Sequence, residues 1–318
     1  MPHFGLQLPS FTFPDVPDDR LFERIAETAL AAEESGFDSF WVMDHYHQIG
    51  MVGPDTDPML EAYTLLGGIA ARTSRIQLGA MVTGVTYRNP AFLAKVVTTL
   101  DVISSGRAIL GIGAAWNEEE SRAFGYPWPP VAERFERLED ALRICRSMFS
   151  QRESTLKGTV HHVEGAINVP QPVRPGGPPI LVGGSGERKT LRLTARYADM
   201  WNGFGDLDTI RHKLAVLAEH CEAEGRERSE ILATRLGTLI VEENAEDADR
   251  RRRAWQDDRG VDDDGLAMRL ICGDRDAVAE QALAFLDAGL QGLIFNMPAG
   301  STVDDAQRAG EALAALRT

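Results

Sequence analysis

Asp44-His45 sets an imidazole beside a carboxylate, and histidine is the side chain whose proton moves most readily near neutral pH. Far downstream, the apolar run Pro179-Ile180-Leu181-Val182 enters Gly183-Gly184-Ser185-Gly186 and then Glu187-Arg188-Lys189. Such a turn can hold a phosphate. Its glycines let backbone N–H groups approach an anion, and the helix that follows adds free N–H groups and partial positive charge. Ser185 can contribute a hydroxyl, and Arg188 or Lys189 a cation. Each stretch also has an ordinary reading. Many strand-to-helix turns use glycine without any ligand, and Asp44 can cap the next segment while His45 packs. His45 and His47 together resemble half of a metal site, but later strand ends offer Gly183, Gly184, Asn202 and Met297 in place of further ligands, so no metal is expected.

The elements that would position these residues follow from hydrophobic period. Strands are expected at 3–8, 39–43, 76–82, 108–112, 180–183, 199–202, 233–241 and 292–296. Helices fit 18–35, 58–72, 90–104, 131–149, 189–197, 207–224, 276–289 and 303–316. Strands alternating with helices imply right-handed crossovers and a parallel sheet, and eight of each imply closure. The expected fold is therefore α/β, a single (β/α)8 TIM barrel over residues 1–318. An open doubly wound sheet would want its glycine-rich loop after the first strand, where Pro9-Ser10-Phe11-Thr12 stands. Long connections mark insertions at about 45–57, 151–178 and 242–270. The second should contain a hairpin over 154–168. The charged run 242–264 reads first as a solvated helix and its exit, and as a lid over the barrel mouth in its sharper form.

In such barrels the carboxyl ends of the strands build the site. Those ends carry Asp44-His45-Tyr46-His47, then Met81 to Pro90, then Gly113-Ala114-Ala115-Trp116-Asn117-Glu118-Glu119-Glu120. At Gly113 and Ala114 a flat ring can lie close to the backbone, or the small residues can simply pack. Trp116 and Trp201 are candidate pocket walls or, as large aromatics more often are, simple core, and Glu118, Glu119 and Glu120 are read as helix-start residues. His3 belongs to the opposite, stabilising face, while His161 and His162 fall in the hairpin.

Bulk properties narrow the function classes. A formal charge of −15 disfavours nucleic acid and anionic membrane partners. Cys145, Cys221 and Cys272 make no Cys-x-x-Cys pair, and no apolar run approaches the roughly 20 residues of a membrane span. The N-terminus lacks a basic segment followed by an apolar one, and a cytoplasmic location is expected.

Phe4-Gly5-Leu6-Gln7-Leu8-Pro9, Asp44-His45, Gly79 to Pro90, Gly111 to Glu120 and Pro179 to Asn202 occur in the order found in the luciferase-like oxidoreductases. The chain resembles that family over nearly its whole length, and more narrowly the branch that uses the deazaflavin coenzyme F420. The resemblance implies an F420-dependent oxidoreductase moving a hydride between the cofactor ring and a small organic substrate, with the cofactor phosphate at Gly183, Gly184, Ser185 and Gly186. It implies a non-proline cis peptide at Met81-Val82 backing the ring; Gly113, Ala114 and Asn202, at neighbouring strand ends, are counted as further candidates for the cofactor seat. It also makes His45, oriented by Asp44, the group that moves the accompanying proton or polarises the substrate. The alternative within the family is an FMN-dependent monooxygenase supplied by a flavin reductase. Relatives are commonly homodimers. Two departures stand out: Trp116 occupies the position where some relatives place a glutamate acid, and the loop after His45 lacks the tryptophan of sugar-phosphate dehydrogenases.

Overall fold

The computed structural model describes residues 1–317. In chain order the elements are β1 (His3–Leu8), α1 (Leu21–Glu34), β2 (Ser39–Val42), α2 (Ala62–Arg72), β3 (Gln77–Ala80), β4 (Thr83–Gly84), α3 (Pro90–Ile103), β5 (Ala108–Gly113), α4 (Glu118–Ala123), α5 (Val131–Ser150), β6 (Glu153–Lys157), β7 (His162–Ile167), β8 (Ile180–Gly183), α6 (Arg192–Tyr197), β9 (Met200–Gly203), α7 (Leu207–Ala223), β10 (Leu232–Val241), α8 (Ala245–Arg259), α9 (Asp263–Arg269), β11 (Leu270–Gly273), α10 (Arg275–Asp287), β12 (Gly292–Asn296) and α11 (Val303–Ala314).

Eight parallel strands close on themselves in the order β1-β2-β3-β5-β8-β9-β10-β12, with β12 returning to β1. These are the eight strands expected from the sequence, and the fold is the TIM barrel. Alternation along each strand divides the apolar residues into two sets. Phe4, Leu6 and Leu8, with Phe40 and Val42, face the surrounding helices. Trp41, Met81, Ile109, Leu181, Met200 and Ile294 form the barrel's interior cluster. At the amino ends of the strands, His3 Nε2 meets Ser39 Oγ at 2.8 Å, which keeps His3 on the stabilising face.

Three features refine the expectation. The third strand stops at Ala80, the Met81–Val82 peptide is cis as the resemblance implies, and pairing resumes at β4 against β5. β11 is an additional short strand. Thr234 pairs with both Asn202 and Gly292, and Thr238 pairs with both Leu270 and Asn296, so β9 and β11 share the edge of β10 opposite β12. Arg235 fastens this corner from the helix side. It is fully buried, donates from Nε to Gly205 O at 2.8 Å and from a terminal nitrogen to Met268 O at 2.9 Å, and sits 4.2 Å above the Phe285 ring. Burial pulls its guanidinium down to about 10.

The insertions take the forms anticipated. β6 and β7 make the antiparallel hairpin, and Asp140 of α5 accepts the N–H groups of Thr159, Val160 and His161 at its tip. α8 is the charged, largely exposed helix, laced by Asp247–Arg250, Asp249–Arg252 and Asp249–Arg253 pairs. Its last residue, Arg259, donates to Met51 O, joining the β10 insertion to the loop after β2. No helix among the described residues is long and apolar enough to cross a membrane.

Candidate active site

The floor of the barrel mouth is the last inward-facing residue of each strand. Gln7, Thr238 and Asn296 lie side by side through the β1–β12 and β12–β10 registers, and Gln7 Nε2 donates to Met81 O at 3.3 Å. Gln7 Oε1 and Asn296 Oδ1 are buried without a hydrogen-bond partner among the described residues. Beside them, Val82 leaves the cis peptide and fills the gap between β5 and β8. A Cβ on Gly183 would come within 2.8 Å of one Val82 methyl, and a Cβ on Gly113 within 2.9 Å of the other. Gly113 thus packs against Val82 and lets it seat there. Ala114 follows it half-buried, and its carbonyl lies 3.5 Å from Arg134.

Asp44 and His45 part company at the end of β2. Asp44 turns to Arg88, accepting its two terminal nitrogens at 2.7 and 2.9 Å, and also accepts Gly84 N–H at 3.2 Å. Burial pushes the Asp44 carboxyl up, and the Arg88 guanidinium opposes that push. Burial in turn lowers Arg88, but Asp44 outweighs it and the guanidinium ends above its ordinary range. This two-pronged ion pair clamps the loop after β4 to the end of β2. The expectation that Asp44 orients His45 is therefore corrected. The group that does so is Glu120, whose Oε2 lies 2.8 Å from His45 Nδ1.

Glu120 stands in the first turn of α4, where Asn117 Oδ1 caps its amide at 3.1 Å. Its side chain does not serve the helix start, as all three glutamates were expected to. Fully buried, it accepts Tyr46 N–H at 2.6 Å and His47 N–H at 3.4 Å on Oε1, and the Tyr87 hydroxyl on Oε2. Burial alone would raise its carboxyl; hydrogen bonds from His45, Tyr87 and Tyr46 hold it below the ordinary value instead. Burial, reinforced by Glu120, lifts the Tyr87 phenol well above its ordinary range. Tyr46 packs among Tyr87, Phe124 and Tyr126, with ring centroids 4.8, 4.8 and 5.8 Å away. The His45 ring meets Trp116 edge-on at 5.5 Å, and Trp116 keeps 57% of its surface exposed, so it is a wall of the mouth. Trp201, the other candidate wall, is instead fully buried and donates its indole N–H to Gly184 O at 2.8 Å.

That indole braces the glycine turn from beneath. Gly184 N–H donates to Asn202 O at 3.0 Å, and Asn202 Nδ2 to Thr234 Oγ1 at 2.9 Å, so Asn202 shapes the turn through its backbone while its side chain ties β9 to β10. Gly184 adopts φ +120°, a conformation only glycine takes without strain. The amides of Ser185 and Gly186 donate to no acceptor among the described residues, and Ser185 Oγ is buried without a partner. A single π-turn over Glu187–Leu191 follows before α6. Lys189 lies 5.2 Å from the Phe135 ring, and Glu187 is held by Lys213 and His212.

A family model described as luciferase-like monooxygenase matches residues 3–292. The chain belongs to the luciferase-like monooxygenase family. Among its relatives is an F420-dependent glucose-6-phosphate dehydrogenase of Kineococcus radiotolerans, 30% identical over 86% of this chain and 87% of its own. Two solved structures share the fold. One is the coenzyme F420-dependent tetrahydromethanopterin reductase from Methanopyrus kandleri, with a TM-score of 0.81 at 19% identity, covering 100% of this chain and 99% of its own. The other is an F420-dependent secondary alcohol dehydrogenase in complex with an F420-acetone adduct, with a TM-score of 0.85 at 20% identity and the same coverage.

Within this luciferase-like barrel, sequence reading missed Glu120, Tyr87 and Arg88. Nothing local marked Glu120, because three successive helical residues can all be exposed, as Ala267, Met268 and Arg269 of α9 are. Arg88 was equally silent, because its partner lies 44 residues earlier.

Proposed function

We propose that this protein is an F420-dependent oxidoreductase whose cofactor phosphate is held by the Gly183–Gly186 turn and whose ring lies over Met81 and Val82 on the barrel floor. The residues fit that group. The unpartnered Ser185 hydroxyl and the uncommitted Ser185 and Gly186 amides suit a phosphate, and Gln7 Oε1 and Asn296 Oδ1 offer acceptors to a polar ring edge. When bound, F420 supplies a two-electron hydride acceptor or donor.

The chain's own part is placement and proton handling. His45 commits Nδ1 to Glu120, while Nε2 has no partner among the described residues, so Nε2 is the atom that takes or returns the substrate hydroxyl proton. The carrying observation is this pairing of a half-open imidazole on one side of the mouth with unspent phosphate donors on the other. Trp116 borders the substrate. Glucose 6-phosphate is not carried over from the relatives: the ring against His45 is the uncharged Trp116 indole, and Arg88 is already bound to Asp44 and Glu61.

Titration of the purified protein with F420 and with FMN, followed by intrinsic tryptophan fluorescence, tests the cofactor. Saturable quenching by F420 is the expected result. Saturation by FMN alone would return the protein to the flavin-dependent monooxygenases of the family.

A further inference from the structure

We infer that Glu120 is the positioning residue that dictates the tautomer of His45, keeping the proton on Nδ1 and leaving Nε2 bare toward the reaction. The inference deepens the proposed function and rests on His45 handling a proton there.

The donors around Glu120 fix the tautomer. An ionised carboxylate only accepts hydrogen bonds. Glu120 Oε1 faces two backbone donors that cannot be reversed, Tyr46 N–H at 2.6 Å and His47 N–H at 3.4 Å. Oε2 faces His45 Nδ1 at 2.8 Å and the Tyr87 hydroxyl. With both oxygens accepting, Nδ1 must carry the hydrogen, and the neutral ring is then basic at Nε2. Complete burial of the carboxylate leaves water no place in this arrangement. Asp44, the neighbour in sequence, bonds to Arg88 and does not touch the ring, so no second group competes for the assignment. The device follows the logic by which a buried carboxylate orients a catalytic imidazole in hydrolases, reached here from the helix after the fourth barrel strand.

The same count predicts what the isosteric amide does. In Glu120→Gln the side-chain oxygen must stay at the Oε1 position, because Tyr46 and His47 still donate there. The NH2 then occupies the Oε2 position and donates toward His45 Nδ1, while the Tyr87 hydroxyl rotates to accept. The imidazole is forced into the opposite tautomer, with hydrogen on Nε2. Shape is unchanged; only the proton moves.

Nitrogen-15 NMR of protein labelled at histidine, with the His45 signals identified from a His45→Gln sample, reads this directly on the cofactor-free enzyme. The wild type should show the protonated-type resonance at Nδ1, and Glu120→Gln should exchange the two assignments. Tyr87→Phe, which removes one donor from Oε2 without adding another, should keep the wild-type pattern and serves as a second variant. In parallel, Glu120→Gln should bind F420 within about twofold of wild type while substrate turnover falls roughly 100-fold or more. Hydrogen on Nε2 in the wild type, an unchanged tautomer in Glu120→Gln, or an exchanged tautomer with full turnover would each overturn the inference. Failure of the wild type to bind F420 would instead remove the proposed function and leave the tautomer result standing.

Discussion

Around His45 the polar atoms have partners already: Glu120 accepts four donors, and Asp44 and Arg88 hold each other. Across the mouth, the turn after β8 has its backbone braced by Trp201 and Asn202, yet its Ser185 hydroxyl and two amides are uncommitted. The difference separates two kinds of preorganisation. A side chain that must act at a fixed atom needs every other degree of freedom taken up by its surroundings. A seat that must capture a charged ligand needs a rigid frame with its donors left over.

The contrast can be broken from the His45 side first. His45→Ala should abolish turnover, a loss of about 10²–10⁴-fold, while F420 binding in a fluorescence titration stays near wild type; an active variant removes His45 from the mechanism. Asp44→Asn attacks the scaffold. It leaves the largely buried Arg88 with only the half-exposed Glu61 as a charged partner, and should lower unfolding free energy by about 3 kcal/mol in a urea melt. If stability is unaffected, the clamp does not hold the loop after β4.

On the opposite side the effects should appear in binding. Gly184→Ala puts a side chain at φ +120°, a strain of roughly 1–3 kcal/mol, and should weaken F420 about tenfold as the turn shifts to relieve it. Equal affinity in the variant and wild type would show that the turn is not the phosphate seat. The smallest change is Ser185→Ala, which removes one hydrogen bond worth about 0.5–1.5 kcal/mol and should raise the F420 dissociation constant two- to tenfold without altering the melting temperature. A shifted melt with unchanged affinity would make Ser185 a folding residue.

Much of this was legible in advance. The eight barrel strands, the hairpin insertion and the charged α8 were visible because each is a local pattern of period, turn residues and charge. The glycine turn was read from its own residues and its phosphate role then strengthened by resemblance, whereas the kink at Met81-Val82 was expected from resemblance alone, since nothing in the period of residues 76–82 announces a break at Ala80. Trp201 and Asp44 were misread for a common reason. The sequence placed them at strand ends, but whether a side chain there turns into the mouth or against its neighbours depends on residues far along the chain.

Taken alone, the order of amino acids determined the barrel, because alternation and helical spacing leave few ways to bury 43% hydrophobic residues. It also marked which strand ends carry histidine, glycine and serine. Only the closed structure decided the partnerships: Asp44 with Arg88, His45 with Glu120, Trp201 under Gly184. Those contacts join segments 17 to 75 residues apart, and hydrogen-bond distance is a property of folded space that no local pattern encodes.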